Sequence, residues 1–371
     1  MAIAISLLIL ILTIYLIHIS IKLRPYNQGP LKIKTFDGTD CPYHPSVLYF
    51  KDSWNGYKYW MAETPFSPES KPYRDRNECP SIHVSNDGIT WNEITQDPID
   101  NLTEKEIEEL DYFSDPHLVF VNDRIECWYR FTHRNGNEGN FSNLQLVRKY
   151  STDGQHWSER EVMVNLATDE GNSLGNMVVS PAILYQEGKY RMWYVNSESR
   201  TYRELSYSES HNGKEWTEQM ICTFEREENT PWHIDVNFIN GKYYLISYNF
   251  KDLTLWDSMN GISFTYINKI LEPSVMGSFY SEGLYRACIL KDRKLKIYFS
   301  ANDAFKTYIG LLENEKDDEN NISFKFTTNK RHRNTVSLVR YVFAKKWLSA
   351  KFIAKRYSVL LSNKLNFKQR M

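Results

Sequence analysis

Four stretches of the chain share one pattern: Ser85-Asn86-Asp87-Gly88-Ile89-Thr90-Trp91, Ser151-Thr152-Asp153-Gly154-Gln155-His156-Trp157, Ser210-His211-Asn212-Gly213-Lys214-Glu215-Trp216 and Ser258-Met259-Asn260-Gly261-Ile262-Ser263-Phe264. Each sets Asp or Asn two residues after a serine, a glycine next, and an aromatic three residues later. Asp and Asn cap free backbone N–H groups, and glycine takes a positive φ without steric cost, so each stretch predicts a tight turn between two strands. A chain that repeats such a hairpin is assembled from β-units of one kind.

A second hairpin alternates with the first. Val47 to Ala62, Leu118 to Phe131, Ala182 to Asn196, Val236 to Asn249 and Ala287 to Ala301 are apolar runs, each broken by a polar turn and followed by a Tyr/Trp-rich run. The turns are Lys51-Asp52, Asn122-Asp123, Glu187-Gly188, Asn240-Gly241 and Lys291-Asp292. Two hairpins per unit and five units predict an all-β, five-bladed β-propeller over residues 31–328, at roughly 60 residues per blade. A sandwich with similar hairpins is the competing arrangement. Leu31 to Phe36 alternates apolar and polar residues and is expected to supply the last strand of the final blade. Thr103 to Leu110 is the one helix-like connection.

Both ends differ from this body. Ala2 to Ile21 is an uncharged stretch of about 20 residues, rich in Leu and Ile and long enough to span a bilayer. No small-residue cleavage site follows, so residues 1–24 are read as an uncleaved transmembrane anchor. Lys22, Arg24, Lys32 and Lys34 follow it, which favours a cytoplasmic propeller and leaves the opposite orientation open. After Glu319 there are thirteen Lys and Arg and no acid, so the remainder holds 45 − 13 = 32 basic against 46 acidic residues. Such an acidic body argues against nucleic acid as partner. Residues 329–371 read as a basic amphipathic helical tail, suited to an anionic membrane surface or to packing on the propeller rim. The five cysteines, without CxxC spacing, predict buried thiols; no metal or cofactor motif is present.

Loop length selects the working face. The turns within hairpins are short, whereas Glu63 to Cys79, Gln96 to Ser114, Thr132 to Asn143, Asn165 to Val179 and Glu225 to Pro231 are long and belong to the other face, where binding and chemistry usually sit. At the head of each innermost strand a side chain is expected to face the axis: Asp40 and His44, Asp115 and His117, Ser180, His233 and Asp235, and Tyr285 with Arg286. Glycosidic hydrolysis needs one carboxyl to protonate the leaving oxygen and another to activate water or attack. Asp115 and Asp235 are the first catalytic pair and Glu78 the third candidate. Arg130 and Arg286 would bind an anionic group, and Trp60, Trp128 and Trp232 would stack on sugar rings. Asp40, His44, Ser180, His233 and Tyr285 complete the expected carbohydrate site.

Ser114-Asp115-Pro116 and the four turns resemble the five-bladed propeller glycosidases, the group of arabinanases, xylosidases, fructosidases and mannoside phosphorylases. The resemblance implies an axial site with carbohydrate as ligand. It carries a role residue by residue only to Asp115. Where those enzymes have an acid before the first-blade proline this chain has His44, and where they have a third-blade Glu it has Ser180. Hydrolysis, phosphorolysis and glycosyl transfer on a surface glycan or glycolipid therefore all remain open, as does a binding module without catalysis.

Overall fold

The computed structural model describes residues 29–326 except 67–77, 96, 137–141, 168–172, 176, 198–202, 227–230, 274–277, 304 and 317–321, together with Leu10, Ile14 and Tyr15. No helix among the described residues is long and apolar enough to cross a membrane. The expected tail falls outside the described residues, as does the expected anchor apart from those three positions.

The repeats fold as five antiparallel sheets. Blade one is β1 (Pro42–Trp54), β2 (Tyr57–Pro65), β3 (Ser81–Ser85) and β4 (Asn92–Glu93), and blade two is β5 (Tyr112–Val121), β6 (Arg124–His133), β7 (Asn143–Ser151) and β8 (Glu161–Asn165). Blade three is β9 (Val179–Gln186), β10 (Lys189–Ser197), β11 (Arg203–Ser210) and β12 (Met220–Ile221). Blade four is β14 (His233–Ile239), β15 (Lys242–Tyr248), β16 (Leu253–Ser258) and β17 (Ser263–Leu271), with β13 (Thr223–Phe224) added in parallel to β17. Blade five is β18 (Gly283–Lys291), β19 (Leu295–Asn302), β20 (Thr307–Asn314) and β21 (Phe324–Phe326). The connection between blades one and two carries α1 (Glu104–Glu108), opened by a capping box between Thr103 and Glu106.

The motif that predicted the turns also locks the blades together. In all four, the serine hydroxyl accepts the glycine N–H at 2.7–2.9 Å. The Asp or Asn oxygen then accepts the next two backbone N–H groups. The glycines have φ of 72–78°, and each lies against a second-strand aromatic of the preceding blade. A Cβ on Gly154 would stand 2.1 Å from the Trp60 ring, one on Gly213 2.6 Å from Trp128, one on Gly261 2.9 Å from Trp193, and one on Gly88 2.6 Å from the Tyr298 hydroxyl. Trp60, Trp128 and Trp193 have no exposed surface. Trp60 and Trp128 are therefore seam residues and not sugar platforms, a correction the fixed hairpin geometry makes plain. The seam between blades four and five has no such glycine and is filled by an apolar cluster that includes Ile246, Leu255, Leu284 and Phe299.

The closing strand also differs from expectation. β21, not Leu31 to Phe36, pairs with Leu312–Asn314. Leu31 donates one backbone hydrogen bond to Ile309 at 2.9 Å. Leu31 and Ile33 are buried among Tyr298, Ile309 and Leu311 of blade five and Val47, Met61 and Trp91 of blade one. The segment thus closes the ring by apolar packing, because β21 already occupies the lower part of that strand edge. All five cysteines are buried and free.

Gly154→Ala is expected to lower stability by about 2–4 kcal/mol, since it combines positive-φ strain with overpacking. Gly56→Ala, at φ 87° with nothing within 4 Å of the new Cβ, is expected to cost only about 1–2 kcal/mol. Urea unfolding of the two variants measures the difference; equal costs would show that the aromatic contact is unimportant.

Candidate functional site

Three innermost strands carry X-Pro within their first few residues: His44-Pro45, Asp115-Pro116 and Ser180-Pro181. Proline has no N–H to give to the ladder, so the strand bulges there. The register slips between Tyr43 and Ser46, and between Ser114 and His117, with a matching slip in blade three. His44, Asp115 and Ser180 adopt φ of 52–54°, a left-handed conformation that costs an L-residue about 1–2 kcal/mol. Such strain at three equivalent positions gathers at functional sites. Blade four lacks the proline, and its ladder runs unbroken from His233 to Ile239.

The side chains form two axial layers. In the upper one, Asp115 Oδ2 accepts from Arg130 Nη1 at 3.0 Å and from the Ser180 N–H at 3.3 Å. Its Oδ1 lies 3.6 Å from His233 Nδ1 and 4.0 Å from Arg286 Nη1. His44 contacts Thr64 through Nδ1 at 2.8 Å and lies 3.7 Å from a Glu78 oxygen. Tyr285 packs against His233 with ring centroids 4.1 Å apart and stacks on Tyr43 at 5.3 Å. Its hydroxyl accepts from Trp232 Nε1 at 3.2 Å.

Arg286, fully buried, crosses beneath this layer and donates to the carbonyls of Pro116 and Pro181 at 2.9 and 3.0 Å. It ties blade five to blades two and three and presents no free fork for an anionic ligand. In the lower layer Asp235 accepts the Ile289 N–H at 2.9 Å and lies 3.6 Å from His117 Nδ1. Its layer lines a cavity of about 170 Å³ with Ser46, His117, Asn237 and Cys288. Asp115 and Asp235 therefore face different partners on successive levels. Ser180 is committed as well, since its hydroxyl donates to the Ile234 carbonyl and accepts the Ile234 N–H. Asp40 is exposed at the turn before β1.

Electrostatics separates the carboxyls. Burial by itself would raise the pKa of Asp115, but the permanent charges of the Arg130 and Arg286 guanidiniums overcome it and hold the carboxyl well below the usual range. Burial and the negative charge of Asp115 push Glu78 up to about 8. Burial pushes Asp235 up to about 7. Burial lowers His44 to about 4 and His117, helped by Arg286, to about 3, and it lowers His233 well below its ordinary value. His117 Nε2 faces the Ile183 carbonyl at 2.9 Å and so carries the proton, which leaves Nδ1 as an acceptor toward Asp235. The upper layer thus joins a fixed anion, a near-neutral carboxyl and two neutral imidazoles. His44 Nε2 and both ring nitrogens of His233 are buried without a hydrogen-bond partner. Among the described residues no three His, Cys, Asp or Glu side chains are grouped to hold a metal ion.

The sequence pointed to Asp115, His44, His233, Arg130, Tyr285 and Glu78, and the structure brings these together. It did not single out Tyr43 or Thr64, because both read as ordinary strand residues until the bulge turns the first blade's head inward.

No protein-family model matches the chain. In sequence it is similar to an A type blood N-acetyl-α-D-galactosamine deacetylase of Flavonifractor plautii, with 23% identity covering 70% of this chain and 40% of that protein. The chain therefore spans two-fifths of that relative's length. In structure it is similar to an N-acetylgalactosamine deacetylase from F. plautii in complex with blood group B trisaccharide, with a TM-score of 0.62, 18% identity, and coverage of 82% of this chain and 91% of that one. It is also similar to a GH43 β-xylosidase/α-arabinofuranosidase from a compost microbial metagenome in complex with xylotriose, with a TM-score of 0.56, 12% identity, and coverage of 81% and 97%. The RS223 β-xylosidase gives a TM-score of 0.54 at 12% identity, with coverage of 77% and 95%. These likenesses show the shared fold, a five-bladed β-propeller.

Asp235 favours its neutral form in the fold, so ionisation destabilises the protein as pH rises above the unfolded carboxyl pKa, and fully above about 7. Asp235→Asn should therefore be more stable relative to the parent at pH 8 than at pH 4, by roughly 1–4 kcal/mol. Urea denaturation at the two pH values reads the change, and a pH-independent difference would show that Asp235 is not held neutral.

Proposed function

We propose that this protein is a carbohydrate-active hydrolase that removes an acetyl group from an acetamido sugar bound at the loop-face end of the axis. The observation that carries this reading is the sign of the charge in the upper layer. Arg130 and Arg286 set two cations against the single anion Asp115, with Glu78 held near neutrality and both imidazoles uncharged. A glycosidic transition state develops positive charge on the sugar and is disfavoured there. The tetrahedral intermediate of amide hydrolysis develops a negative oxygen, which such a setting stabilises. The deacetylase named among its relatives supports the same reaction.

In this mechanism Glu78 takes a proton from the attacking water and delivers it to the leaving amine, a task suited to a carboxyl whose pKa lies near the working pH. A neutral His233 or His44 N–H donates to the forming oxyanion. Asp115 stays ionised and orients His233, while Tyr285 and Tyr43 provide aromatic faces for the sugar. The apolar amino-terminal stretch and the basic carboxy-terminal tail support a membrane-associated enzyme acting on a surface glycan or glycolipid.

A glycosidase is the second reading. It is favoured by the opposed pKa shifts of Glu78 and Asp115, the pattern expected of an acid and a base. Product analysis separates the two: acetate release without new reducing ends supports deacetylation, and new reducing ends overturn it. For the deacetylase, kcat/KM should rise with pH through about 8 as Glu78 ionises. Glu78→Gln should abolish that rise and cut kcat by about 10²–10⁴. An unaltered pH profile in this variant would remove Glu78 from the chemistry.

A further inference from the structure

A line of aromatic contacts leaves the axis on the side of blades three and four. His233 packs on Tyr285, whose hydroxyl accepts from Trp232. Trp232 stacks on Phe250, with centroids 5.4 Å apart and planes 29° from parallel. Phe250 is 55% exposed, although a large apolar side chain usually seeks cover, and it holds a φ of 70° that a bulky residue rarely adopts. The strained backbone just beyond β15 thus presents an aromatic side chain to solvent beside the site.

Arg203, the first residue of β11, lies against the same rings. Its guanidinium carbon is 4.7 Å from the Phe250 centroid and 5.7 Å from that of Trp232. No carboxylate among the described residues forms an ion pair with it; burial alone shifts its pKa, and the shift is downward. Its Nε is buried without a hydrogen-bond partner. In a body carrying 46 acidic residues, most arginines of this structure find one: Arg124, Arg130, Arg148, Arg160 and Arg191 all do. Aromatic faces hold a guanidinium in place and leave its forked edge available for a carboxylate, sulfate or phosphate.

We propose that Arg203, Phe250 and Trp232 form a second sugar subsite at the rim, which takes an acidic residue of the glycan next to the sugar bound at the axis. Phe250 and Trp232 stack on its ring, and Arg203 pairs with its anionic group. The proposal rests on the axial site binding carbohydrate, and it narrows the substrate to an anionic glycan.

Calorimetry on the full chain tests it with two probes: a disaccharide of glucuronic acid and N-acetylgalactosamine, and its carboxyl-reduced counterpart. The acidic probe should bind about tenfold more tightly, as expected for a charge-assisted fork, and the advantage should shrink in high salt. Arg203→Gln should remove the preference and leave the affinity for the neutral probe within about twofold. Arg203→Lys should retain only part of it, and Phe250→Ala should weaken both probes alike. Equal affinities in the parent protein, absence of binding by both probes, or an equal loss for both in Arg203→Gln would each overturn the subsite. Acetate release measured in parallel separates the two ideas: a charge preference without acetate leaves the subsite standing and sinks the deacetylase reading, and acetate without preference does the reverse.

Discussion

The contact between a hairpin glycine and the neighbouring blade's aromatic ring is the constraint on which the ring depends. At Gly154 the ring of Trp60 comes so close that no side chain fits, and the same relation recurs at three other seams. Because the turn glycine must also take a positive φ, one residue satisfies two demands: it closes its own hairpin and admits the ring of the blade before it. The Trp193 and Tyr298 side chains add a hydrogen bond to the carbonyl of the glycine they touch. The order of the blades follows along these four seams, since blades one, two and three each carry both the knob for one neighbour and the socket for the other.

A ring closed in this way brings five inner strands together at their heads, where charge replaces packing. Buried charges survive only when paired or hydrogen-bonded, and the axis meets that condition by stacking Asp115, Arg130 and Arg286 above Asp235 and His117. Arg286 does most to divide the levels. It donates to main-chain carbonyls of blades two and three and its charge depresses imidazole protonation in both layers. The result is an upper site with excess positive charge and a lower one whose acid stays close to neutral. The deacetylation proposed for this site draws on that balance more than on the identity of any one carboxyl.

The strain at His44, Asp115 and Ser180 belongs to the same design. A proline in the inner strand interrupts the ladder, the bulge turns the preceding side chain toward the axis, and the surrounding hydrogen bonds hold it there. Ser180 shows that the device can also serve structure, for its hydroxyl clasps the backbone of blade four.

Much of this was legible in the sequence, because a turn motif and an X-Pro head are local instructions: the blade count, the buried thiols, α1 and the convergence of Asp115, His44, His233, Arg130 and Glu78 all follow from short-range patterns. Sequence alone could not say that Trp60 and Trp128 face seams, that β21 takes the closing edge ahead of Leu31, or that Asp235 belongs to a lower layer than Asp115. Those outcomes depend on where five strands stand relative to one axis, a distance no local pattern encodes. The chain's own residues determined which groups reach the centre; only the closed ring decided which of them share a level, because burial and the reach of Arg286 exist only once all five blades are in place.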